Sequence, residues 1–149
     1  MQMLSLNKKT GYGLIAMTHL ARLNDGQVAS AREIAEKFGV PMSLLMNVLK
    51  ELSAANFVES VRGAHGGYRL ARDPEGISLA DLVEVLEGPI RLAACVTGEL
   101  EPGEKAVCRM MESCPIADPV HRVQRRLHDF LCQVSLAELA EPALPNVRP

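Results

Sequence analysis

Apolar residues recur at helical spacing in three segments of the first half of the chain. Between residues 12 and 23 they share one face of a helix, and the turn sequence NDG at 24–26 ends the pattern. Ser30 and Glu33 have the S-x-x-E spacing of a capping box, so a short helix should begin after Ser30 and end at Gly39. A third helix is predicted from the apolar stripe Leu45, Val48, Leu49 and Leu52.

The following segment has the composition of two short strands. FVESV at 57–61 and YRLA at 68–71 are joined by RGAHGG, whose glycines suit a β-hairpin. Another capped helix is predicted over SLADLVEVLEG at 78–88. The order helix, short helix, turn, helix, hairpin is that of a winged helix-turn-helix. The predicted fold class is therefore mainly α with a small β-hairpin.

A long helix is predicted near the end of the chain. Asp118 is a suitable cap and Pro119 a suitable first residue. Apolar residues then follow at alternating spacings of three and four, and they are Val120, Val123, Leu127, Phe130 and Val134. Such a seam is typical of a helix that pairs with another helix, so we expect a homodimer through residues 119–134.

Composition and charge narrow the class of protein. Hydrophobic residues make up 48% of the chain, but no apolar run approaches the ~20 residues needed to cross a bilayer, so no membrane role is expected. The start lacks the pattern of a secretory signal, which predicts a cytoplasmic protein in a reducing compartment. Residues 1–73 carry nine Lys or Arg against six Asp or Glu, whereas residues 74–149 carry seven against twelve. We expect a phosphate-binding surface in the basic half.

The outer face of the third helix carries groups suited to contacts with DNA. In a helix-turn-helix this helix enters the major groove, where Asn47 could bridge two groups on adenine. An ordinary solvated helix face could have the same composition, but Arg62 at the hairpin tip adds a cation suited to a narrow minor groove. His65 and Arg69 could equally be exposed residues without a role. The predicted DNA-binding residues are Ser43, Asn47, Lys50, Arg62, His65 and Arg69.

Two groups of residues could bind metal or serve the core. Cys95, Cys108 and Cys114 lie in one glycine- and glutamate-rich segment, CVTGELEPGEKAVCRMMESC. They could hold a metal or iron-sulfur centre, form a disulfide, or simply lie in a loop; a reducing compartment disfavours the disulfide. His19 lies on the apolar stripe of the first helix, where a core histidine with satisfied hydrogen bonds is expected rather than a ligand.

One protein family shares these motifs. The segment from VPMSLL to VLEGP at 40–89, with its SVRGAHGGY wing, resembles the IscR, NsrR and SUF-operon regulator family of iron-sulfur winged-helix transcription factors. The likeness continues to VSLAELA at 134–140. It implies a dimeric regulator of a palindromic operator, with Arg62 in the minor groove and the third helix in the major groove. It also implies that Cys95, Cys108 and Cys114 hold a [2Fe-2S] cluster that senses redox, nitric oxide or iron-sulfur status.

The fourth cluster ligand departs from the family pattern. IscR-like proteins place a histidine three residues after the last loop cysteine, where this chain has Ala117. NsrR-like proteins use an aspartate of the partner's first helix, and the corresponding position here is Gly11. The remaining candidates in this chain are Asp118, His121, Cys132 and Asn7. The alternative is a cluster-free regulator with redox-active thiols or zinc in the loop.

The predicted organisation has four parts. Residues 1–89 form the DNA-binding domain, 90–117 the cysteine loop, 118–140 the dimerisation helix with a short terminal helix, and 141–149 a tail without fixed structure. No Ser-His-Asp set, phosphate loop or pair of carboxylates is recognisable in the sequence, so an enzyme is not expected.

Overall fold

The structure, a computed structural model, describes residues 6–93 and 113–142. Within these ranges the helices are α1 (Lys8–Ala21), α2 (Ala31–Phe38), α3 (Met42–Ala54), α4 (Leu79–Glu87), α5 (Ala117–Gln133) and α6 (Leu136–Ala140). Strands β1 (Val58–Val61) and β2 (Gly67–Leu70) pair antiparallel, and a 3₁₀ turn covers Pro74–Gly76. This mainly helical fold with a small hairpin confirms the predicted fold class.

Polar side chains at the helix starts explain where the helices begin. Asn7 accepts a hydrogen bond from the backbone N–H of Thr10 at 2.8 Å, so α1 begins at Lys8, before the predicted start at residue 12. Ser30 accepts from the N–H of Glu33 at 3.1 Å, which is the Ser30 half of the predicted capping box. α2 ends at Gly39, whose φ of 65° lies in the left-handed region that glycine adopts most easily.

Helix α1 lies at the centre of the core and packs against α2, α3, α4, α6 and β2. Gly13 allows α4 to approach α1 closely, because a Cβ at this position would collide with the side chain of Leu86. The largest fully buried apolar side chains are Met17, Ile34, Leu45, Leu49, Leu52, Ile77, Leu82 and Leu136. They come from the helix-turn-helix and from α4 and α6 alike, so the N-terminal segment and α6 share one core.

The hairpin is fixed to the helix-turn-helix by backbone hydrogen bonds. Ala29 donates to the carbonyl oxygen of Tyr68 at 3.0 Å, and Tyr68 donates to that of Ala29 at 2.8 Å. Gly67 is required for this approach, since a Cβ there would lie 2.6 Å from the carbonyl oxygen of Ala29. The hairpin therefore stands in a defined position beside α3.

The C-terminal elements are fastened to the same body. Leu79 donates to the carbonyl of Val134, and Leu136 donates to that of Ile77, both at 2.8 Å. Arg22, the residue that caps the end of α1, donates through Nε to the carbonyl of Ala140 at 2.7 Å. The end of α5 and the whole of α6 are thus held against α1 and α4.

Two sequence-based expectations change at the C-terminal end. The prediction that Asp118 caps the long helix is wrong, because Ile116 is the N-cap and Asp118 lies inside the first turn. Its carboxylate still faces the positive end of the helix dipole, which is favourable. Of the predicted tail at 141–149, residues 143–149 lie outside the described residues. None of the described helices is long and apolar enough to span a membrane.

His19 is a buried polar residue where α1 meets α2. Its ring lies edge-on to Phe38, with 5.3 Å between ring centroids. Its Nε2 has no hydrogen-bond partner among the described residues. The prediction that His19 is buried is therefore confirmed, whereas the prediction that its hydrogen bonds are satisfied is wrong. Burial lowers the pKa of His19, the positive charges of Lys37 and Arg22 lower it further, and Glu33 acts in the opposite direction.

We expect the stability of the fold to fall in mild acid because of His19. The folded state holds its pKa below the value of about 6.5 in the unfolded chain, so the unfolded chain binds more protons in this range. Stability is therefore full above about pH 6.5 and declines as the pH falls through that value. Urea unfolding between pH 8 and 5.5 should show a shallower decline for His19→Gln than for the wild type. His65→Gln, which changes an exposed wing histidine, should retain the wild-type dependence; an unchanged slope in His19→Gln would contradict the assignment.

Candidate nucleic-acid interface and cysteine loop

Helix α3 separates an apolar face from a polar one. Its buried residues are Leu45, Val48, Leu49 and Leu52. Ser43, Asn47 and Lys50, spaced four and three residues apart, are all exposed. Because residues at this spacing lie on one side of a helix, the three predicted residues form a single solvent-facing stripe. We call it the α3 polar stripe.

A shallow groove connects the α3 polar stripe to the hairpin. Asn47 and Lys50 line it from α3, and Ser60 and Tyr68 line it from the two strands. Ser60 and Tyr68 are paired across the hairpin, and Tyr68 is the residue bonded to Ala29. The stripe and the hairpin therefore form one continuous surface.

The tip of the hairpin carries two of the predicted residues. Arg62 and His65 are both exposed there. Gly63 between them has a φ of 130°, a conformation that side-chain-bearing residues rarely adopt. Because Gly63 has no side chain, the backbone at the tip can approach another surface closely.

Arg69 is placed differently from the other predicted DNA-binding residues. It lies opposite Glu59 in the hairpin, and its Nε is 2.5 Å from the Glu59 carboxylate. Since alternate strand residues point to opposite faces, the Glu59–Arg69 pair faces away from Ser60 and Tyr68, which line the groove. The structure does not bring Arg69 to the α3 surface.

The structure describes only the two ends of the cysteine loop. Cys114 is a free, half-buried thiol close before α5, and Cys95 and Cys108 lie outside the described residues. Asp118 and His121, exposed and half-buried respectively, lie in the first turns of α5. Among the residues that the structure describes, no group of three or more His, Cys, Asp or Glu could hold a metal ion.

Cys132 lies far from Cys114 within the same chain. It follows Ala117, the first residue of α5, by 15 residues, which corresponds to about 22 Å along a helix. Its Sγ is 3.6 Å from Nδ1 of His128, whose Nε2 is 3.1 Å from Glu84. Desolvation raises the pKa of Cys132, and the carboxylates of Asp81, Glu84 and Asp129 raise it further. The surrounding carboxylates thus disfavour the thiolate form of Cys132.

Gln124 ties the beginning of the cysteine loop to α5. Its Oε1 accepts from the N–H of Leu92 at 2.8 Å, and its Nε2 donates to the carbonyl of Ile90. Cys114, at the other end of the loop, lies three residues before Ala117, the first residue of the same helix. Sequence reasoning missed this contact, because a single glutamine on a helix gives no signal of its partner.

Helix α5 has no buried residue in the single chain. The five seam residues have two environments: Val120, Leu127 and Val134 are half-buried, whereas Val123 and Phe130 are 54% and 61% exposed. Ile116, seven residues before Val123, is 60% exposed. Ile116, Val123 and Phe130 therefore form an apolar stripe on the outside of α5, which we call the α5 stripe.

Comparison with known proteins agrees with this arrangement. The family model Rrf2, described as an iron-dependent transcriptional regulator, matches residues 6–142. The solved structure of CymR, the global cysteine regulator of B. subtilis, is 28% identical, with 93% of this chain and 97% of that chain covered and a TM-score of 0.71. T. potens IscR is 29% identical, with 91% of this chain and 85% of that chain covered and a TM-score of 0.68. The oxidized form of Staphylococcus aureus CymR is 27% identical, with 94% of this chain and 98% of that chain covered and a TM-score of 0.70.

The match to the family model extends over both the hairpin-bearing domain and α5. It confirms the predicted resemblance to IscR-like regulators and the prediction that the protein is not an enzyme. The α3 polar stripe and the hairpin correspond to the two parts of a winged helix-turn-helix. The chain belongs to the Rrf2 family of DNA-binding transcriptional regulators.

Proposed function

We propose that this protein is a dimeric regulator that binds a palindromic operator and responds to an iron-sulfur cluster of the [2Fe-2S] type in its cysteine loop. The observation that carries the proposal is the continuous surface formed by the α3 polar stripe and the hairpin. Regulation of iron-sulfur assembly or stress genes would follow from such a sensor.

DNA recognition is assigned to two parts of this surface. Asn47 and Lys50 would reach base edges and phosphates in the major groove, with Ser43 on the same stripe. Arg62 would enter the adjacent minor groove, where the negative potential favours a guanidinium group. His65 at the tip is a further contact in this proposal, and Arg69 is a weaker candidate because it is paired with Glu59.

Substitutions on this surface should weaken binding to an operator selected from random duplexes. Asn47→Ala should lose about 1–3 kcal/mol of discrimination at its base, and Arg62→Ala should lower the salt dependence of binding by about one unit of slope. Arg69→Ala is the matched comparison and should lose less, because this weaker candidate is paired with Glu59 and faces the other side of the hairpin. Fluorescence anisotropy at several salt concentrations measures both quantities. Equal losses for Arg62→Ala and Arg69→Ala would contradict the assignment of the tip.

The cysteine loop is proposed to hold the cluster through Cys95, Cys108 and Cys114. Thiolates are soft anionic ligands that suit iron, and Cys114 is a free thiol rather than a core residue or a disulfide partner in the described residues. Asp118 and His121 follow Cys114 by only four and seven residues, which favours them over Cys132 as the fourth ligand. When bound, the cluster would supply a centre whose charge and composition change with redox state or nitric oxide.

The alternative is a loop that works through thiol oxidation or zinc without a cluster. It is supported by the similarity to CymR, one solved structure of which is an oxidized form. Both mechanisms would use the same cysteines. They differ in colour, since zinc and disulfides do not absorb in the visible range and iron-sulfur clusters do.

Protein purified without oxygen should be coloured and contain iron and acid-labile sulfide in matching amounts. Cys114→Ser should lose most of the visible absorbance, because it removes one of the proposed ligands. Cys132→Ser is the matched control and should keep the wild-type spectrum, since this thiol lies about 22 Å further along α5. A colourless wild-type protein that resists reconstitution would leave the thiol or zinc mechanism. Full absorbance in Cys114→Ser would refute the ligand assignment.

We propose that α5 transmits structural changes in the cysteine loop to the DNA-binding surface. Gln124 binds the backbone where the loop begins, and Cys114 precedes the helix where the loop ends. A change in loop structure would thus shift α5, and in a dimer this would alter the separation of the two α3 helices. That separation must match the spacing of the two operator half-sites, so the structure of the loop would determine how tightly the dimer binds DNA.

The dimer is proposed to form through α5. Ile116, Val123 and Phe130 expose large apolar side chains on one side of this helix. Pairing with the same helix of a second chain would remove that area from water. Val123 and Phe130 are the residues of the predicted seam that remain exposed in the single chain, and Ile116 extends the stripe beyond the predicted seam.

Phe130→Glu should convert the dimer to a monomer and reduce operator affinity together. The reason is that a carboxylate placed in the apolar contact must be desolvated without a partner. Gln133→Glu adds the same charge at an exposed polar position of α5 and should leave the dimer intact. Sedimentation velocity of both variants at micromolar concentration measures the mass. A dimeric Phe130→Glu protein would contradict the proposed interface.

A further inference from the structure

Two methionines on α3 are exposed beside the α3 polar stripe. Met42 and Met46 are 45% and 41% exposed, and they lie four residues apart on one side of the helix. Large apolar side chains are costly to leave in water, and both lie on the surface proposed to meet DNA. Neither side chain is needed to fill the core, which α3 builds from its buried stripe.

Met46 lies between the polar stripe and the hairpin, and Met42 lies between the stripe and α2. Met46 lines the groove with Asn47, Lys50, Ser60 and Tyr68. Met42 is the first residue of α3 and borders Arg32 and Glu36 of α2. The N-terminal residues of a recognition helix are those that reach base edges.

We propose that Met42 and Met46 are specificity-determining residues that contact thymine methyl groups in the major groove. This inference rests on the proposed function. The methyl group on C5 of thymine is the apolar group that base pairs present in this groove, and an apolar side chain recognises it by contact. Methionine suits this contact because its unbranched, polarizable chain adapts to the position of a methyl group.

Continuity with the polar stripe favours DNA over a protein as the occupant. Met46 lines the groove in which Asn47 of α3 meets Ser60 and Tyr68 of the hairpin, so a duplex that contacts both α3 and the hairpin also covers Met46. Leu44 provides a contrast. It is 42% exposed and lines a second groove with Asn47 and Lys50, but on the flank of the stripe away from the hairpin, where Lys9 and Glu51 form an ion pair.

The test replaces thymine with uracil, which removes only the methyl group. An operator is first selected from random duplexes with the full-length protein, and each thymine is then exchanged singly. For the wild type, loss of a contacted methyl should weaken binding roughly fourfold, the amount expected for one buried methyl-sized group. In Met46→Gln or Met42→Gln this difference should disappear at the position that the residue contacts. Leu44→Gln should retain the full pattern of uracil sensitivity.

The outcomes separate this inference from the proposed function. If the wild type binds a selected duplex but is insensitive to uracil at every position, the methionine assignment is overturned while DNA recognition by α3 stands. The assignment also falls if both glutamine variants keep the wild-type uracil pattern. If no duplex is enriched and binding has no salt dependence, the proposed function itself fails. Circular dichroism of the variants confirms that each exposed substitution leaves the fold intact.

Discussion

The paired backbone hydrogen bonds between Ala29 and Tyr68 hold the candidate DNA surface together. A two-stranded hairpin alone is marginally stable in water and would have no fixed orientation. Here β2 adds to the segment before α2, and Gly67 permits the approach because its missing side chain would overlap the Ala29 backbone. The position of Arg62 relative to Asn47 and Lys50 depends on this contact. A wing that recognises one groove while α3 recognises the next requires that fixed relation.

The same body also positions the two ends of the cysteine loop. Hydrogen bonds between Ile77, Leu79 and the Val134–Leu136 segment attach the end of α5 to the start of α4. Gln124 attaches the middle of α5 to the backbone after α4. Helix α5 therefore contacts the DNA-binding domain at two levels, and it also carries the exposed α5 stripe. A helix that contacts the domain and the loop and, in the proposed dimer, a second chain is suited to transmit a change from one to the others.

The local sequence was sufficient for much of the fold. The Ser30 cap, the Gly39 terminus and the apolar stripe of α3 predicted α2 and α3 closely, because capping and periodicity act within a few residues. The start of α1 was missed since Asn7 caps a turn that contains two lysines and a glycine and has no apolar periodicity. Asp118 was misassigned as a cap because Ile116 ends the loop without a side-chain hydrogen bond.

Contacts between distant residues could not be predicted in the same way. The pairing of Glu59 with Arg69 depends on the register of the hairpin, and the tie from Gln124 to Ile90 depends on how α5 packs on α4. The α3 polar stripe was predictable because it is the complement of a buried stripe on the same helix. The exposure of Met42 and Met46 follows from the same complement, but the position of Met46 beside the hairpin and of Met42 beside α2 depends on tertiary packing.

The central claim is that the state of the cysteine loop controls DNA affinity. The most direct test compares the operator affinity of cluster-loaded protein with that of the same protein after cluster removal, at one salt concentration and one protein concentration. If the loop controls DNA affinity, the two dissociation constants differ by about fivefold or more, the lower range of allosteric coupling. Equal dissociation constants for a protein that demonstrably carries and then loses its cluster would contradict it.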